Sequence, residues 1–567
     1  MPNAALNPST RATAIDQLRD AEVDVLVIGG GVTGAGAALD AATRGLKVAL
    51  VERRDWAAGT SSRSGKLFHG GLRYLEQFNF GLVREALKER GLMLQRLCPH
   101  LVRPIRFVYP LHHRVWERAY MGAGLALYDT LGGAGAVPRH RHLSRSAVGA
   151  LAPGMKKDAL VGALTFYDAQ VDDARHTMEL VRTAASHGAV VANAVEVADL
   201  TMNDGRVTGA RLRDTLTGEE FEVRARAVIN ATGVWTDAIR AMAPGGNPSF
   251  EVKASKGVHL MIPRDKIDST VSMFIRAEDS VLFVREWFGH WLVGTTDTAY
   301  DEQLDHPAAT RKDVDYLLRN LNTILVTPLT VDDVDGVFAG LRPLVKGKEG
   351  ATSALSREHA VETSPPGLTS VAGGKYTTYR VMAQDVVDAA TQDLDGAVDP
   401  SSTEHVRLLG AVGLEQAKAR LAREASTYGF DAARIEHLTR RYGALVGELE
   451  QLIADQPDLA EPIAGAPKYL RAEAVYAVTH EGALHIDDVL TRRTHIAIET
   501  PDRGVAAATE VADLIAGPLG WDEAEKAHQV EHYRQRVAAE LAAQQVPDEH
   551  EASQLRTAVS DPRVRIG

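Results

Sequence analysis

VDVLVIGGGVTGAGAALDAATRGLKVALVE, residues 23–52, decides the fold. An apolar run of β-formers, Val23 to Ile28, leads directly into Gly29, Gly31 and Gly34. An Ala-rich helical segment follows, then a second apolar run, Val48 to Val51, that ends on Glu52. This strand–turn–helix–strand order is that of a dinucleotide-binding unit. Gly29 permits the tight turn, Gly31 leaves the backbone open to a pyrophosphate, and Gly34 lets the helix pack closely on the strand. The helix N-terminus offers N–H groups and partial positive charge to phosphate. Glu52 is placed to accept hydrogen bonds from the adenosine ribose, and its charge disfavours a 2′-phosphate. The motif lies near the N-terminus with a long chain behind it, an order that favours FAD over NAD.

At 567 residues the chain has room for two or three domains and a sizeable core. It is 45% apolar and 24% charged, ordinary for a soluble globular protein. The net charge of −12 argues against nucleic acid as a partner, and an anionic substrate must be drawn in by clustered Arg and Lys. Cys98 is the single cysteine, so no intrachain disulfide or all-cysteine zinc site can form, and no metal is expected. It reads as a buried, small apolar residue. Residues 1–21 lack the apolar core of a secretion signal and read as a flexible tail. No window offers the ~20 apolar residues that span a bilayer.

Further along, residues 171–191 read as a helix feeding a strand. Thr217-Gly218 marks a hairpin, Ala225 to Ala231 a buried strand, and Thr369 to Gly374 a strand ending in paired glycines before a helix. A polar stretch around Pro400 reads as a linker, and the sequence beyond it is helical and rich in Ala, Glu and Arg.

Five segments stand in order with the first motif: TSSRSGKLFHGGLRY at 60–74, VINATGV at 228–234, GTTD at 294–297, AGLRPL at 339–344 and GGKYTTYR at 373–380. From about residue 22 to the C-terminus this pattern resembles the FAD-dependent glycerol-3-phosphate dehydrogenases. The resemblance implies an α/β architecture: a glutathione-reductase-like FAD-binding domain, a mixed-sheet substrate domain and an α-helical C-terminal domain. On that reading the FAD domain is discontinuous (22–80, 171–250 and 340–395). The substrate domain takes 81–170 and 251–339, and the helical domain 404–567. The implied reaction is oxidation of sn-glycerol 3-phosphate to dihydroxyacetone phosphate, with electrons passed from noncovalent FAD to a membrane quinone. A cytoplasmic protein held peripherally on the inner face of the cell membrane is expected, as a homo-oligomer such as a dimer.

The resemblance assigns Gly29, Gly31, Gly34, Glu52, Thr60, Ser61, Ser62, Ser64, Lys66, Leu67, His69, Gly233, Gly374, Lys375, Thr377 and Thr378 to the cofactor. A phosphate dianion calls for Arg or Lys, preferably a bidentate Arg. The cations inside family motifs are Arg73, beside Tyr74, Arg342 and Lys375, with Arg357 a further one. Arg342 and Lys375 are expected to act in catalysis, Lys375 near the reactive edge of the flavin. The substrate hydroxyl needs a base while hydride leaves for flavin N5. His69 and His259 are the candidates, with the choice open; His259 is also expected to contact substrate. His69 has the alternative of a covalent flavin bond, although the resemblance is to noncovalent members.

Rival functions share parts of this pattern. A glycerol-3-phosphate oxidase using O2 differs only in the second half-reaction. An amine or amino-acid oxidase has the broad fold but no use for Arg73, Arg342 and Lys375. A flavin-binding redox sensor without turnover is a third class. One further stretch stands out. Residues 101–145 hold Arg103, Arg106, Arg114, Arg118, Arg139, Arg141 and Arg145 against Glu117 and Asp129, with Phe107, Tyr109, Trp116 and Tyr120 interleaved. Basic residues reach anionic headgroups while Trp and Tyr settle at the interface, so an anionic membrane surface is the expected partner there, the alternatives being a solvated, ion-paired face of the substrate domain or an Arg cluster aimed inward at phosphate.

Overall fold

Two sheets and a helical body make up the computed structural model, which describes residues 4–76, 78–113, 115–132, 136–277, 281–347 and 358–561. The first sheet grows from the opening motif. Its strands run in the order Val190–Asn193, Val48–Glu52, Ala21–Ile28, Glu220–Asn230, Leu368–Gly373 and His359–Thr363. The first five are mutually parallel, and His359–Thr363 closes the edge antiparallel. A parallel sheet is covered on both faces, so its strands are apolar at nearly every position. Val25 and Val27 pack beneath the helices Val32–Thr43, Asp173–Ser186 and Tyr379–Thr391. Leu26 and Ile28 point the other way, into a core shared with the antiparallel strands Val195–Asn203 and Arg206–Asp214.

The second sheet has ten strands and is mixed. Phe250–Pro263 is its organising strand, antiparallel to His290–Gly294 and, over twelve paired positions, to Gly336–Gly347. Gly336–Gly347 therefore lies wholly in this sheet, and so do Leu67–Phe68 and Gly162–Val171. This corrects the expected bounds, which put 340–347 and 67–68 in the FAD domain. Motifs expected at the cofactor thus sit on strands of the second sheet.

Residues 1–21 were expected to be a flexible tail. The structure instead places a helix at Pro8–Leu18, with Pro8 in its first turn. Asn7 and Thr10 form a capping box, burying Ala14, Ile15 and Leu18. Arg11 grips Asp214 at 2.8 Å and the Asn193 carbonyl at 2.9 Å, fastening the helix to the first sheet. The Asn-Pro start and the Ala14–Ile15–Leu18 spacing were legible signals of this helix.

The C-terminal body is helical from Leu414 to Thr557, with a two-stranded ribbon at Pro462–Ile463 and Ala466–Leu470. It docks through buried charge. Asp55 accepts from Arg492 Nε at 2.6 Å and from Arg493 at 2.6 and 2.8 Å. Asp172 meets His495 at 2.8 Å and Arg441 at 3.2 Å. Arg175 meets Glu481 at 2.5 Å. Among the described residues no helix is long and apolar enough to cross a membrane. Cys98 is buried and unbridged, and burial pushes its thiol up.

Candidate active site

A cavity of about 1230 Å³ runs between the two sheets. Gly29, Gly31 and Glu52 line one end, and Thr60, Ser61 and Ser64 follow. His69, Tyr74, His259, Arg342, Gly374 and Lys375 stand toward the other end. The volume exceeds the usual 300–1000 Å³ of a small-molecule site, as an extended dinucleotide plus substrate requires.

The glycine cradle has the expected steric logic. Gly29 holds φ +109°, a left-handed conformation other residues resist. A Cβ on Gly34 would sit 1.9 Å from the Gly29 carbonyl oxygen, so the helix reaches the strand only without a side chain. Gly34 thus acts by packing and does not itself line the cavity. Ser61 Oγ accepts from the Val32 N–H at 2.9 Å, joining the loop at 60–65 to the helix N-terminus. Glu52 accepts from the backbone N–H groups of Gly30 at 2.7 Å and Arg54 at 2.8 Å. Two carboxylate oxygens have about four acceptor directions, so ribose hydroxyls can share them. Arg53 and Arg54 stack on Trp235, 5.8 and 5.4 Å from the ring centroid, beside Gly233 at this end.

Hydrogen bonds draw the distant motifs together. Thr60 Oγ1 donates to the Leu341 carbonyl at 2.6 Å, linking TSSRSG to AGLRPL. Thr377 Oγ1 accepts from the His69 N–H at 3.1 Å and donates to its carbonyl at 3.2 Å, linking HGG to GGKYTT. Strand register sets His259 opposite Gly294, and Ser255 opposite Arg342. Arg342 donates to Asp297 at 3.1 Å, to Thr295 Oγ1 at 3.2 Å and to the Thr296 carbonyl at 3.1 Å. A Cβ on Gly257 would lie 2.7 Å from Arg342 Nη2, so glycine there admits the guanidinium. Lys375 Nζ sits 3.6 Å from the centroid of the Tyr74 ring.

Both candidate bases face this cavity. His259 is buried and stacked on Phe338, with ring centroids 4.9 Å apart. Burial holds its imidazole well below the usual range, and the cations Arg285, Arg342 and Lys66 push the same way. Both effects favour the neutral ring, and its Nδ1 has no hydrogen-bond partner among the described residues. His69 is half-buried on the loop before the Gly70-Gly71 turn.

Several residues expected at the cofactor do not line this cavity. Lys66 is fully buried and does not line the cavity. A buried ammonium needs a counter-charge, and it pairs with Asp173 at 2.5 Å and donates to the Ser62 carbonyl at 3.0 Å. Ser62, Thr377 and Thr378 also lie behind the wall, whereas Leu67 forms part of it. Arg357 lies outside the described residues, as does the side chain of Arg73. Phe107 and Tyr109, expected on a membrane face, are buried, while Trp116 and Tyr120 are exposed. The strand Val102–Leu111 turns its apolar face to the core, which accounts for the difference. Of the Arg set, Arg114 lies outside the described residues.

Sequence reasoning passed over three residues. Asp173 accepts from Ser64 N at 3.0 Å, from Ser64 Oγ at 2.7 Å and from Lys66, and so fixes the loop at 60–65. Asp168 accepts from Gly70 N at 3.1 Å, Tyr128 Oη at 2.6 Å and Arg90 Nη1 at 2.7 Å, and so fixes the glycine turn. Arg285 lines the cavity beside His259. Its signal was a charge on the same strand face as Phe283 and Trp287.

Residues 24–380 match the family described as FAD dependent oxidoreductase, and 401–526 the C-terminal domain of alpha-glycerophosphate oxidase. The glycerol-3-phosphate dehydrogenase of Mycobacterium leprae is 52% identical over 565 residues, which cover 100% of this chain and 96% of that one. The chain belongs to the FAD-dependent glycerol-3-phosphate dehydrogenase family. The human mitochondrial glycerol-3-phosphate dehydrogenase is 36% identical over 97% of this chain and 78% of its own length. The structure of the glycerol-3-phosphate dehydrogenase from Bacillus halodurans complexed with FAD superposes with a TM-score of 0.78 at 28% identity. It covers 99% of this chain and all of that one. FAD is accordingly the cofactor of this family site, and the cradle fits it: the left-handed Gly29, the side-chain-free Gly31 and the carboxylate of Glu52 line one continuous cavity.

Proposed function

We propose that this protein oxidises sn-glycerol 3-phosphate at C2 to dihydroxyacetone phosphate on noncovalent FAD, and passes the electrons to a membrane quinone. The observation that carries the reading is the single cavity. It joins a dinucleotide cradle to a wall bearing Arg342, Lys375, His69 and His259. Relatives carrying the name glycerol-3-phosphate dehydrogenase over the full length of the chain support it.

Residues of this chain take distinct parts. Arg342, anchored by Asp297, turns its guanidinium to the phosphate. Lys375 brings positive charge to the end of the cavity where Tyr74 stands. The C2 hydroxyl gives its proton to a histidine, His259 or His69. His259 is neutral and can accept one. Bound FAD supplies the acceptor for the C2 hydride.

A lipid-soluble acceptor fits the far end of the cavity. Leu72, Leu82, Tyr109, Met121, Phe274 and Phe283 make that part of the wall apolar. Nearby segments carry exposed Phe78 (78%), Phe80, Trp116 (60%) and Tyr120, flanked by exposed Arg139, Arg141 and Arg145. Apolar rings with arginines about them suit peripheral binding to an anionic membrane at the cytoplasmic face.

Dye-linked reduction by glycerol 3-phosphate tests the first half-reaction, and a protein inert to it refutes the reading. Oxygen uptake in place of quinone reduction would establish the oxidase. Trp116→Ser combined with Tyr120→Ser should keep dye-linked turnover and lose binding to anionic vesicles; unchanged binding would exclude this face. Acid precipitation should release the flavin to the supernatant.

A further inference from the structure

We propose that Arg285 is an anion-binding residue of this cavity and pairs with the phosphate of the substrate, an inference that rests on glycerol 3-phosphate being what binds here.

Arg285 lies on the strand Val281–Trp287, where Leu282 and Val284 enter the apolar core of the second sheet. Side chains alternate across a strand, so Arg285 shares the opposite face with Phe283, and both line the cavity. The residue is 1% exposed. Its Nε and Nη2 nonetheless have no hydrogen-bond partner among the described residues. Arg175, Arg441 and Arg493 are as deeply buried, and each meets a carboxylate. Asp173, the acid whose field reaches Arg285, is already engaged by Lys66 and by Ser64.

A buried guanidinium without a counter-ion is costly to fold, and such cost is kept where a ligand supplies the missing charge. Five N–H donors in a flat fork match an oxyanion. Glycerol 3-phosphate carries one such group. The location agrees. A Cβ built on Gly65 would lie 4.0 Å from Arg285 Nη2 and 3.9 Å from His259 Nε2, so both groups converge on the same spot of the cavity wall. Arg342, on the same sheet, has much of its donor set spent on Asp297, Thr295 and Thr296. Arg285 brings two donors, Nε and Nη2, that have no partner among the described residues.

The test uses FAD-loaded enzyme with Arg285→Met, Arg285→Gln and Arg285→Lys. Turnover of glycerol 3-phosphate by the unaltered enzyme is measured first; if it is absent, the proposed function fails and not this inference. Binding of inorganic phosphate is then followed through the flavin absorbance. In the Met and Gln variants the phosphate Kd and the KM for glycerol 3-phosphate should rise about 10- to 100-fold, with a smaller change in kcat, and Lys should recover part of the loss. Melting temperature should hold or rise, since an unpaired buried charge has been removed. Should Arg285→Met fail to retain flavin, Arg285→Lys carries the same comparison. An unchanged phosphate Kd overturns the proposal. If affinity for sulfite, which adds at flavin N5, falls instead, the cation serves the flavin. If melting temperature alone falls, the residue is structural.

Discussion

Gly34→Ala tests whether the cradle holds FAD by the close approach of helix to strand. The added Cβ would lie 1.9 Å from the Gly29 carbonyl oxygen, where 3.0 Å is the floor for real Cβ contacts. The blocking atom belongs to the backbone of the turn that directly follows a central strand, held there by the Gly29 N–H bond to the Val51 carbonyl at 2.9 Å, and is not the end of a flexible side chain. The helix Val32–Thr43 must therefore retreat by about 1.1 Å, the difference between the two distances. Its first-turn N–H groups retreat with it. A hydrogen bond of about 2.9 Å stretched by that amount is no longer one. Losing two charge-assisted bonds to a phosphate, at about 1.5–3 kcal/mol each, costs about 3–6 kcal/mol. That is roughly a 150- to 25,000-fold weaker FAD Kd. Calorimetric titration of apoprotein with FAD measures it, and the ratio of absorbance at 450 and 280 nm of the purified protein reports it directly. Gly149→Ala is the control, since nothing lies within 4 Å of its Cβ. A Gly34→Ala protein that binds FAD within threefold of the unaltered one would refute the reasoning.

Other substitutions probe the remaining parts. Arg342→Ala should lower kcat/KM by roughly 30- to several-thousand-fold, from about 2–5 kcal/mol of lost charge-assisted binding, with flavin retained. Arg342→Lys should recover only part, because an ammonium cannot form the fork; near-normal Arg342→Ala kinetics would place the residue away from substrate. Asp55→Asn leaves buried Arg493 short of a counter-charge, while Arg492 keeps Asp487 and Asp488, and should destabilise the junction with the C-terminal body by about 3–5 kcal/mol, read from the urea midpoint. Stability should fall in acid before most carboxylates titrate. Burial holds His100 and His176 at about 3 in the folded protein, against 6.5 when unfolded. The unfolded chain alone takes up those protons, so the loss begins near pH 6.5 and deepens toward pH 3. A urea midpoint level between about pH 7.5 and 5 would contradict it.

The sequence carried the first sheet well because its signals are local. An apolar run, a glycine turn and an acid at fixed spacing describe one βαβ unit, and Thr217-Gly218 describes one hairpin. The domain bounds were less legible. Gly336–Gly347 pairs with Phe250–Pro263 across some eighty residues of chain, and no local pattern states a strand's partner. Buried charge was the least legible feature. In DDARHTMEL a helix start is plain, yet that Asp172 turns to His495 while Asp173 turns to Lys66 depends on folding in three dimensions. Lys66 looked like a cofactor ligand because it stands inside a cofactor motif. Its motif position holds the loop in shape from behind.

Charge placement unites the site. A chain of net charge −12 concentrates Arg285, Arg342 and Lys375 on one cavity wall. The first sheet offers glycines, backbone N–H groups and Glu52, all suited to a nucleotide that stays. On the proposed function, the second sheet and its junction would meet theirs with cations, suited to a dianion that comes and goes. Arg285 and Arg342 also depress the basicity of His259, after burial itself. On the proposed function with His259 as the base, a bound phosphate dianion would offset their field and make a charged imidazole less costly as the proton is taken. On this arrangement the substrate's remote phosphate does more than anchor it. With His259 as the base, part of the phosphate's binding energy would appear as a stronger base at C2, so loss of the phosphate should depress kcat and not KM alone.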